Sequence, residues 1–274
     1  MGERILDNYL KFILSDEANK FQSFSRDLSN GVTVKSSRVG ILEFSKEAHE
    51  NPKKAFIYSC GIHGNETAPI EIINNIVRDI ASGELPQSYP LLIIFGHIEA
   101  MKQGKRFIQD NLNRMFSDHY KNYRDNDLET ARAMIIQDSI REFFDKYRGC
   151  EKIHYDLHTA IRPSRYQKFA IYPYLEQNNY SKNQLQIFSS MGIEAVVIQH
   201  KPASTLSYFS SSNFFAHSFT LELGKVEKFG DNNVEDFVDV QRVLRELISD
   251  QYCHGELVLP KIFLVKKELV RNCV

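Results

Sequence analysis

The segment Ala55 to Glu71, AFIYSCGIHGNETAPIE, changes character twice within a short stretch, and that change limits what the chain can fold into. AFIYSC is apolar and β-rich and runs directly into Gly61, the pattern of a buried strand that opens into a loop. From Ala68 to Ile80 apolar residues recur at helical spacing; Pro69 is tolerated near the start, and Gly83 and Pro86 close the segment. A second apolar run, LLIIF from Leu91 to Phe95, follows. Strand, helix and strand in this order predict a βαβ unit, and hence an α/β fold class with a mixed, mainly parallel sheet flanked by helices.

Later segments extend the pattern. Asn126 to Tyr147 reads as an amphipathic helix with Ile135, Ile136, Ile140, Phe143 and Phe144 on its apolar side. KIHYDLHTA (Lys152 to Ala160), AVVIQ (Ala195 to Gln199) and FTLEL (Phe219 to Leu223) read as strands, each delivering polar residues toward its end. Open α/β sheets bind ligands beyond the carboxyl ends of their strands, so one site built from several loops is expected. The N-terminal MGERILDNYLKFILSDEANK is amphipathic and predicts a folded helix. Beyond Gly230 a helix over Val234 to Gln251 and a strand over Lys261 to Val265 are predicted. The expected organisation is a catalytic domain over residues 1–230, followed by a C-terminal helix and strand over 231–274.

Charge removes several functions. Lys and Arg number 34 against 35 Asp and Glu, so no global field draws in nucleic acid or an anionic membrane surface, and basic recognition must be local. No apolar run approaches the roughly 20 residues that cross a bilayer. The N-terminus carries acids within its first twenty residues, unlike a signal peptide with its basic start and continuous apolar run. A cytoplasmic protein with neither a nucleic-acid nor a membrane partner is expected; no oligomeric state is readable. Cys60, Cys150, Cys253 and Cys273 form no CxxC pair, against a disulfide scaffold or a cysteine zinc site. Cys60 ends an apolar run and reads as a buried structural thiol rather than a nucleophile.

In GIHGNETAPIE, His63 and Glu66 stand three positions apart in a glycine-bearing loop after a strand. An imidazole nitrogen and a carboxylate oxygen suit zinc, whose catalytic sites take three protein ligands and leave a position open for water. His158, in DLHTA at the end of another predicted strand, is the best third ligand. Taken alone, His-x-x-Glu also suits a loop histidine that only hydrogen-bonds locally. Asp156 reads equally as a carboxylate partner for a histidine or as a residue that merely alternates along its strand. Glu222 lies inside apolar FTLELGK, where an ionisable group is either outward-facing at an edge or placed as a general base. In GKRFIQDNLNRMF, Arg106, Asn113 and Arg114 supply two guanidinium groups and an amide suited to a substrate with carboxylates, although solvated loop arginines have the same look.

The strings GIHGNETAPIE, RFIQDNLNRMF, DLHTAIR and TLELGK, in this order, resemble the signature of the succinylglutamate desuccinylase and aspartoacylase family, a branch of the zinc carboxypeptidase-like superfamily. The resemblance runs from about Tyr58 to Gly230. It implies a carboxypeptidase-like fold and one zinc ion per chain held by His63, Glu66 and His158. It also implies Glu222 as the catalytic glutamate and Arg106, Asn113 and Arg114 as substrate-binding groups. GNETAPIE with DLHTAIR is closer to the desuccinylase branch, which implies hydrolysis of N-succinyl-glutamate, a small acidic N-acyl amino acid, in arginine catabolism. Arg162 is a further candidate for contact with the substrate or the developing oxyanion. An aspartoacylase-like or other N-acyl-amino-acid deacylase, or a carboxypeptidase, would use the same scaffold. Members of the family continue past KIFLVKKELVRNCV with a β-rich portion, so the ending at Val274 implies the start of a truncated β-rich element and, with it, the alternative of an impaired relative.

Overall fold

The structure is a computed structural model that describes residues 5–49, 51–123, 127–160, 164–177, 180–253, 255 and 258–265. Among the described residues ten strands form one sheet: β1 Phe24–Asp27, β2 Thr33–Ser36, β3 Ile41–Ser45, β4 Lys54–Cys60, β5 Leu91–Phe95, β6 Glu151–Ala160, β7 Lys168–Tyr172, β8 Ala195–Ile198, β9 His217–Lys225 and β10 Lys261–Leu264. Their order is β1-β2-β3-β5-β4-β6-β9-β7-β8-β10. The central run β5-β4-β6-β9 is parallel throughout. β7 runs antiparallel to β9, and β1 to β3 form an antiparallel meander against β5.

Central parallel strands are covered on both faces and read as continuous apolar runs, which is why LLIIF and AFIYSC are legible as strands. Their side chains nevertheless alternate between two cores. Phe56, Tyr58 and Cys60 of β4, with Ile153, Tyr155 and Leu157 of β6, join a core that also contains residues of the helices Tyr9–Leu14, Thr67–Ser82, Lys182–Ser190 and Val238–Ile248. Ala55 and Ile57 point the other way, into a core shared with the helices Leu128–Lys146 and Leu206–Phe214. On the first face Phe219 is fully buried, its ring 4.6 Å from that of Tyr172 and 4.8 Å from that of Phe188.

On the second face the apolar pattern gives way to a polar stripe. Ser59 of β4, His154, Asp156 and His158 of β6, and Ser218, Thr220 and Glu222 of β9 occupy the alternate positions. The register sets Ser59 beside Asp156, Asp156 beside Thr220 and His158 beside Glu222. Side chains two apart along a strand share a face, so this stripe leads along β6 to the carboxyl edge of the sheet.

Described residues beyond 230 pack against the same sheet. Val240, Val243, Leu244 and Leu247 belong to the first core, the Tyr58 hydroxyl donates to Leu244 O at 2.9 Å, and β10 pairs in parallel with β8. Among the described residues no helix is long and apolar enough to cross a membrane.

Candidate active site

The loop after β4 is shaped by two glycines. Gly61 has φ +63°, and a Cβ there would lie 2.0 Å from Met101 Cε; one on Gly64 would lie 2.2 Å from the backbone carbon of Ala100. The loop is thereby pressed against the helix Ile98–Lys102, and Gly64 N donates to Arg106 O at 3.1 Å. That packing turns His63 inward and puts Glu66 at the N-cap position of the helix Thr67–Ser82.

The structure brings His63, Glu66 and His158 together. All three are buried, and one ligand atom from each lies within 4.8 Å of the others. Glu66 Oε1 lies 2.8 Å from His63 Nδ1, and Glu66 Oε2 lies 2.8 Å from His158 Nδ1. The outer nitrogens are also held: His63 Nε2 is 3.0 Å from Asn111 Oδ1, and His158 Nε2 is 2.9 Å from Asp156 Oδ2. Arg106 Nη1 donates to Glu66 Oε1 at 2.7 Å and Thr159 N to Oε2 at 3.2 Å.

This arrangement can be tested against a metal ion by counting protons. A neutral imidazole carries one N–H, yet each histidine faces an acceptor at both nitrogens. A divalent cation held by His63, Glu66 and His158 would resolve the excess, since each Nε2–H could then donate outward and each Nδ1 could offer a lone pair. The residues therefore fit such an ion, and outer hydrogen bonds to ligating histidines are the usual companions of these sites.

Without the ion the charges arrange differently. Burial favours neutral His158, but Asp156 and Glu66 outweigh it and raise its pKa well above the ordinary value. Burial lowers the pKa of His63. Burial alone would raise the Glu66 carboxyl, and the two histidines instead pull it far down, so Glu66 is ionised.

Glu222 sits beside His158 in the β6/β9 register. Its Oε2 is buried and has no hydrogen-bond partner among the described residues. Burial, with the nearby negative charges of Glu66 and Asp156, pushes its pKa up to about 7 against the pull of His158 and Arg106. A carboxyl poised near neutrality beside a ligand cluster is equipped for proton transfer.

The predicted substrate groups are placed unequally. Arg106 is half-buried against Glu66, whereas Arg114 is exposed, its Nη1 donating to Asn113 O at 2.9 Å. Asn113 is buried, and its Oδ1 accepts from Leu206 N at 3.0 Å, so that oxygen anchors the start of the helix Leu206–Phe214. Arg162 lies outside the described residues. Two contributors carry no signature in the sequence. Asn111 holds His63, and buried Glu129 accepts at Oε1 from Ile108 N (3.0 Å) and Gln109 N (2.9 Å), fixing the loop that bears Arg106. His97 Nε2 lies 2.9 Å from the same Glu129 oxygen.

A mixed sheet sandwiched by helices, with a His-x-x-Glu loop and a second histidine at the carboxyl edge of its central strands, defines a carboxypeptidase-like α/β fold. A solved metallo-carboxypeptidase of Burkholderia cenocepacia shares that fold at a TM-score of 0.60, with 14% identity, covering 88% of this chain and 68% of that one. The chain belongs to the succinylglutamate desuccinylase/aspartoacylase family, whose catalytic domain matches residues 52–248. The crystal structure of the succinylglutamate desuccinylase from Chromobacterium violaceum is similar at a TM-score of 0.87 and 35% identity, covering 96% of this chain and 81% of that one. A curated succinylglutamate desuccinylase of Pseudoalteromonas atlantica is 43% identical over 215 residues, 77% of this chain; the match spans 61% of that relative's length.

Proposed function

We propose that the chain is a zinc-dependent hydrolase of a linear amide, converting N-succinyl-L-glutamate and water to succinate and L-glutamate. The observation that carries this reading is the convergence of His63, Glu66 and His158 with Glu222, whose Oε2 has no hydrogen-bond partner among the described residues and whose pKa is pushed up to about 7, at one sheet edge in a member of this family. A single zinc ion held by the three ligands would supply Lewis acidity toward the amide oxygen and make a bound water easier to deprotonate.

The remaining work falls to the chain's own side chains. Glu222 takes a proton from the water that attacks the succinyl carbonyl carbon and passes it to the glutamate nitrogen as the C–N bond breaks. Asp156 and Asn111 keep the ligand histidines oriented. Arg106 and Arg114, with the amide of Asn113, hold the substrate carboxylates; a guanidinium can meet a carboxylate through two parallel hydrogen bonds. Arg162 is a further candidate for the substrate through the family resemblance. The reading extends to a cytoplasmic enzyme of arginine catabolism, acting on a small acidic N-acyl amino acid.

Metal-analysed protein assayed against N-succinyl-glutamate and N-acetyl-aspartate tests the proposal. Glutamate release from the first, with little turnover of the second, is the expected result. Aspartate release alone would move the activity to the aspartoacylase side, and zinc binding without turnover of either would overturn the desuccinylase reading.

A further inference from the structure

Behind the ligand triad, polar side chains are hydrogen-bonded in series. Asp156 Oδ1, the oxygen turned away from His158, lies 2.6 Å from Ser59 Oγ. Ser59 Oγ lies 2.8 Å from His154 Nε2, and His154 Nδ1 lies 2.7 Å from Ser210 Oγ. Ser59, His154, Asp156 and Ser210 are each 0% exposed, so no member can exchange its partner for bulk water. The members come from β4, β6 and the helix Leu206–Phe214.

Chemistry gives this chain a direction. A carboxylate only accepts, so the Ser59 hydroxyl must donate to Asp156. With its single proton committed there, Ser59 accepts from His154, which places the His154 proton on Nε2. The Nδ1 of neutral His154 then accepts from Ser210. Reversing the order would set the Ser59 lone pairs against Asp156 Oδ1 at 2.6 Å, which is repulsive.

We propose that Ser59 and His154 are positioning residues for the metal-ligand triad. By holding Oδ1, they fix the Asp156 carboxylate with Oδ2 on His158 Nε2. That contact keeps the His158 proton on Nε2 and its Nδ1 lone pair on the metal side. The placement of the polarity supports a role beyond packing: on the same face of β4, Ala55 and Ile57 pack into an apolar core, and the strand turns polar only at Ser59, the position paired with Asp156. For packing alone, an apolar pair of similar shape could fill the space of Ser59 and His154 at little or no cost in stability.

This inference rests on the reading of His63, Glu66 and His158 as metal ligands, and the test separates the two. The full chain, stripped of metal and titrated with Zn2+ and Co2+, gives affinities by chelator competition and, for Co2+, a visible spectrum that reports ligand geometry. Thermal melting of the metal-free form reports folding alone. Ser59→Ala and His154→Leu are expected to weaken metal binding about 10- to 100-fold and to alter the Co2+ spectrum. Ser59→Thr and His154→Gln keep a donor at the same place and are expected to stay close to the wild type. If Ser59→Ala does not fold, Ser210→Ala serves instead, with a smaller loss in the same direction. Wild-type affinity and spectrum in Ser59→Ala and His154→Leu, or in Ser210→Ala where that variant stands in, would overturn the inference. So would an equal loss in the donor-keeping variants. Failure of the wild type itself to bind either ion would instead overturn the ligand reading.

Discussion

Asp156 and His158, two residues apart on one strand, bond to each other on the second face of the sheet, Oδ2 to Nε2 at 2.9 Å, and His158 turns its other nitrogen to Glu66 Oε2 at 2.8 Å. Flanked by two carboxylates, His158 holds a second proton in the metal-free protein, because its pKa is raised well above the ordinary histidine value. A metal must displace that proton. Metal affinity should therefore rise as pH rises, by about tenfold per pH unit while His158 remains protonated. Calorimetry in buffers of different ionisation enthalpy should find about one proton or more released near neutrality; release of none would contradict the charge state given to His158.

Glu222 must be ionised to accept a proton from water. Burial, with Glu66 and Asp156 nearby, places its pKa at about 7; a divalent cation held by the triad would favour the ionised form and move that value lower. kcat/KM should therefore fall as pH drops, with a midpoint at or below about 7 in the metal-loaded enzyme. Glu222→Gln should lower kcat by about 10²- to 10⁴-fold while leaving metal stoichiometry unchanged. Near-wild-type turnover in that variant would remove Glu222 from the mechanism.

Arg114 is exposed, and its side chain bonds only to the neighbouring Asn113 carbonyl among the hydrogen bonds described. Its loss should leave folding intact and raise KM more than it lowers kcat. The expected change is roughly tenfold or more, the scale of one charged hydrogen bond. An analogue with its glutamyl carboxylates amidated should lose that dependence; equal effects on both substrates would argue against carboxylate recognition by Arg114.

His154 offers a prediction about stability. Burial lowers its pKa to about 4 in the folded protein, against about 6.5 when unfolded. The unfolded chain takes up this proton first as pH falls. The contribution is thus fully present above about pH 6.5 and is lost as pH falls toward 4, roughly 3 kcal/mol in all. Glu222, raised from 4.5 to about 7 in the folded protein, acts in the opposite sense over the same range, so the His154 share is read as a difference: in urea unfolding of the metal-free protein from pH 7 to 4, the wild type should lose about 3 kcal/mol more stability than His154→Gln does. An equal loss in the variant would assign acid sensitivity to other groups.

Phe219 packs its ring against Tyr172 and Phe188 on the core face opposite the site. Phe219→Ala should destabilise the protein by about 3–5 kcal/mol in chemical unfolding. Metal stoichiometry of the fraction that remains folded should not change, because Thr220 and Glu222 face the other way.

The central strands are legible in the sequence because their burial makes them continuous apolar runs: LLIIF is β5 without adjustment, and AFIYSC lacks only Lys54. The triad is legible for a different reason, since its residue types are rare in such settings and fall at strand ends. Other elements lack these signals. β1, with the sequence FSRD, has no apolar run and exists through its pairing with β2. The helix Leu206–Phe214, LSYFSSSNF, is rich in weak helix formers and relies on Thr205, whose side chain accepts from Tyr208 N, and on Asn113, which accepts from Leu206 N. The predicted helix over Val234 to Gln251 begins as a 3₁₀ turn and becomes α-helical only over Val238–Ile248.

Partner choice was likewise beyond one-dimensional reading. Asp156 could be a carboxylate partner or a mere alternating residue until the β4/β6 register set it beside Ser59 and its own strand set it against His158. Asn111 and Glu129 act through contacts across 48 and 20–21 residues of chain, and no local spacing marks them.

The two-residue alternation of β6 carries a consequence for inheritance. Ile153, Tyr155 and Leu157 pack one core, while His154, Asp156 and His158 interleave with them on the opposite side. Inserting or deleting one residue here would exchange the two sets, pressing imidazoles into the Tyr58 and Phe219 packing and turning tyrosine toward the triad. Such an error cannot silently yield a sturdy but inert protein. Along this strand, lineages that drift in length lose the shape and the chemistry together, whereas those that drift in side-chain identity can lose either one alone.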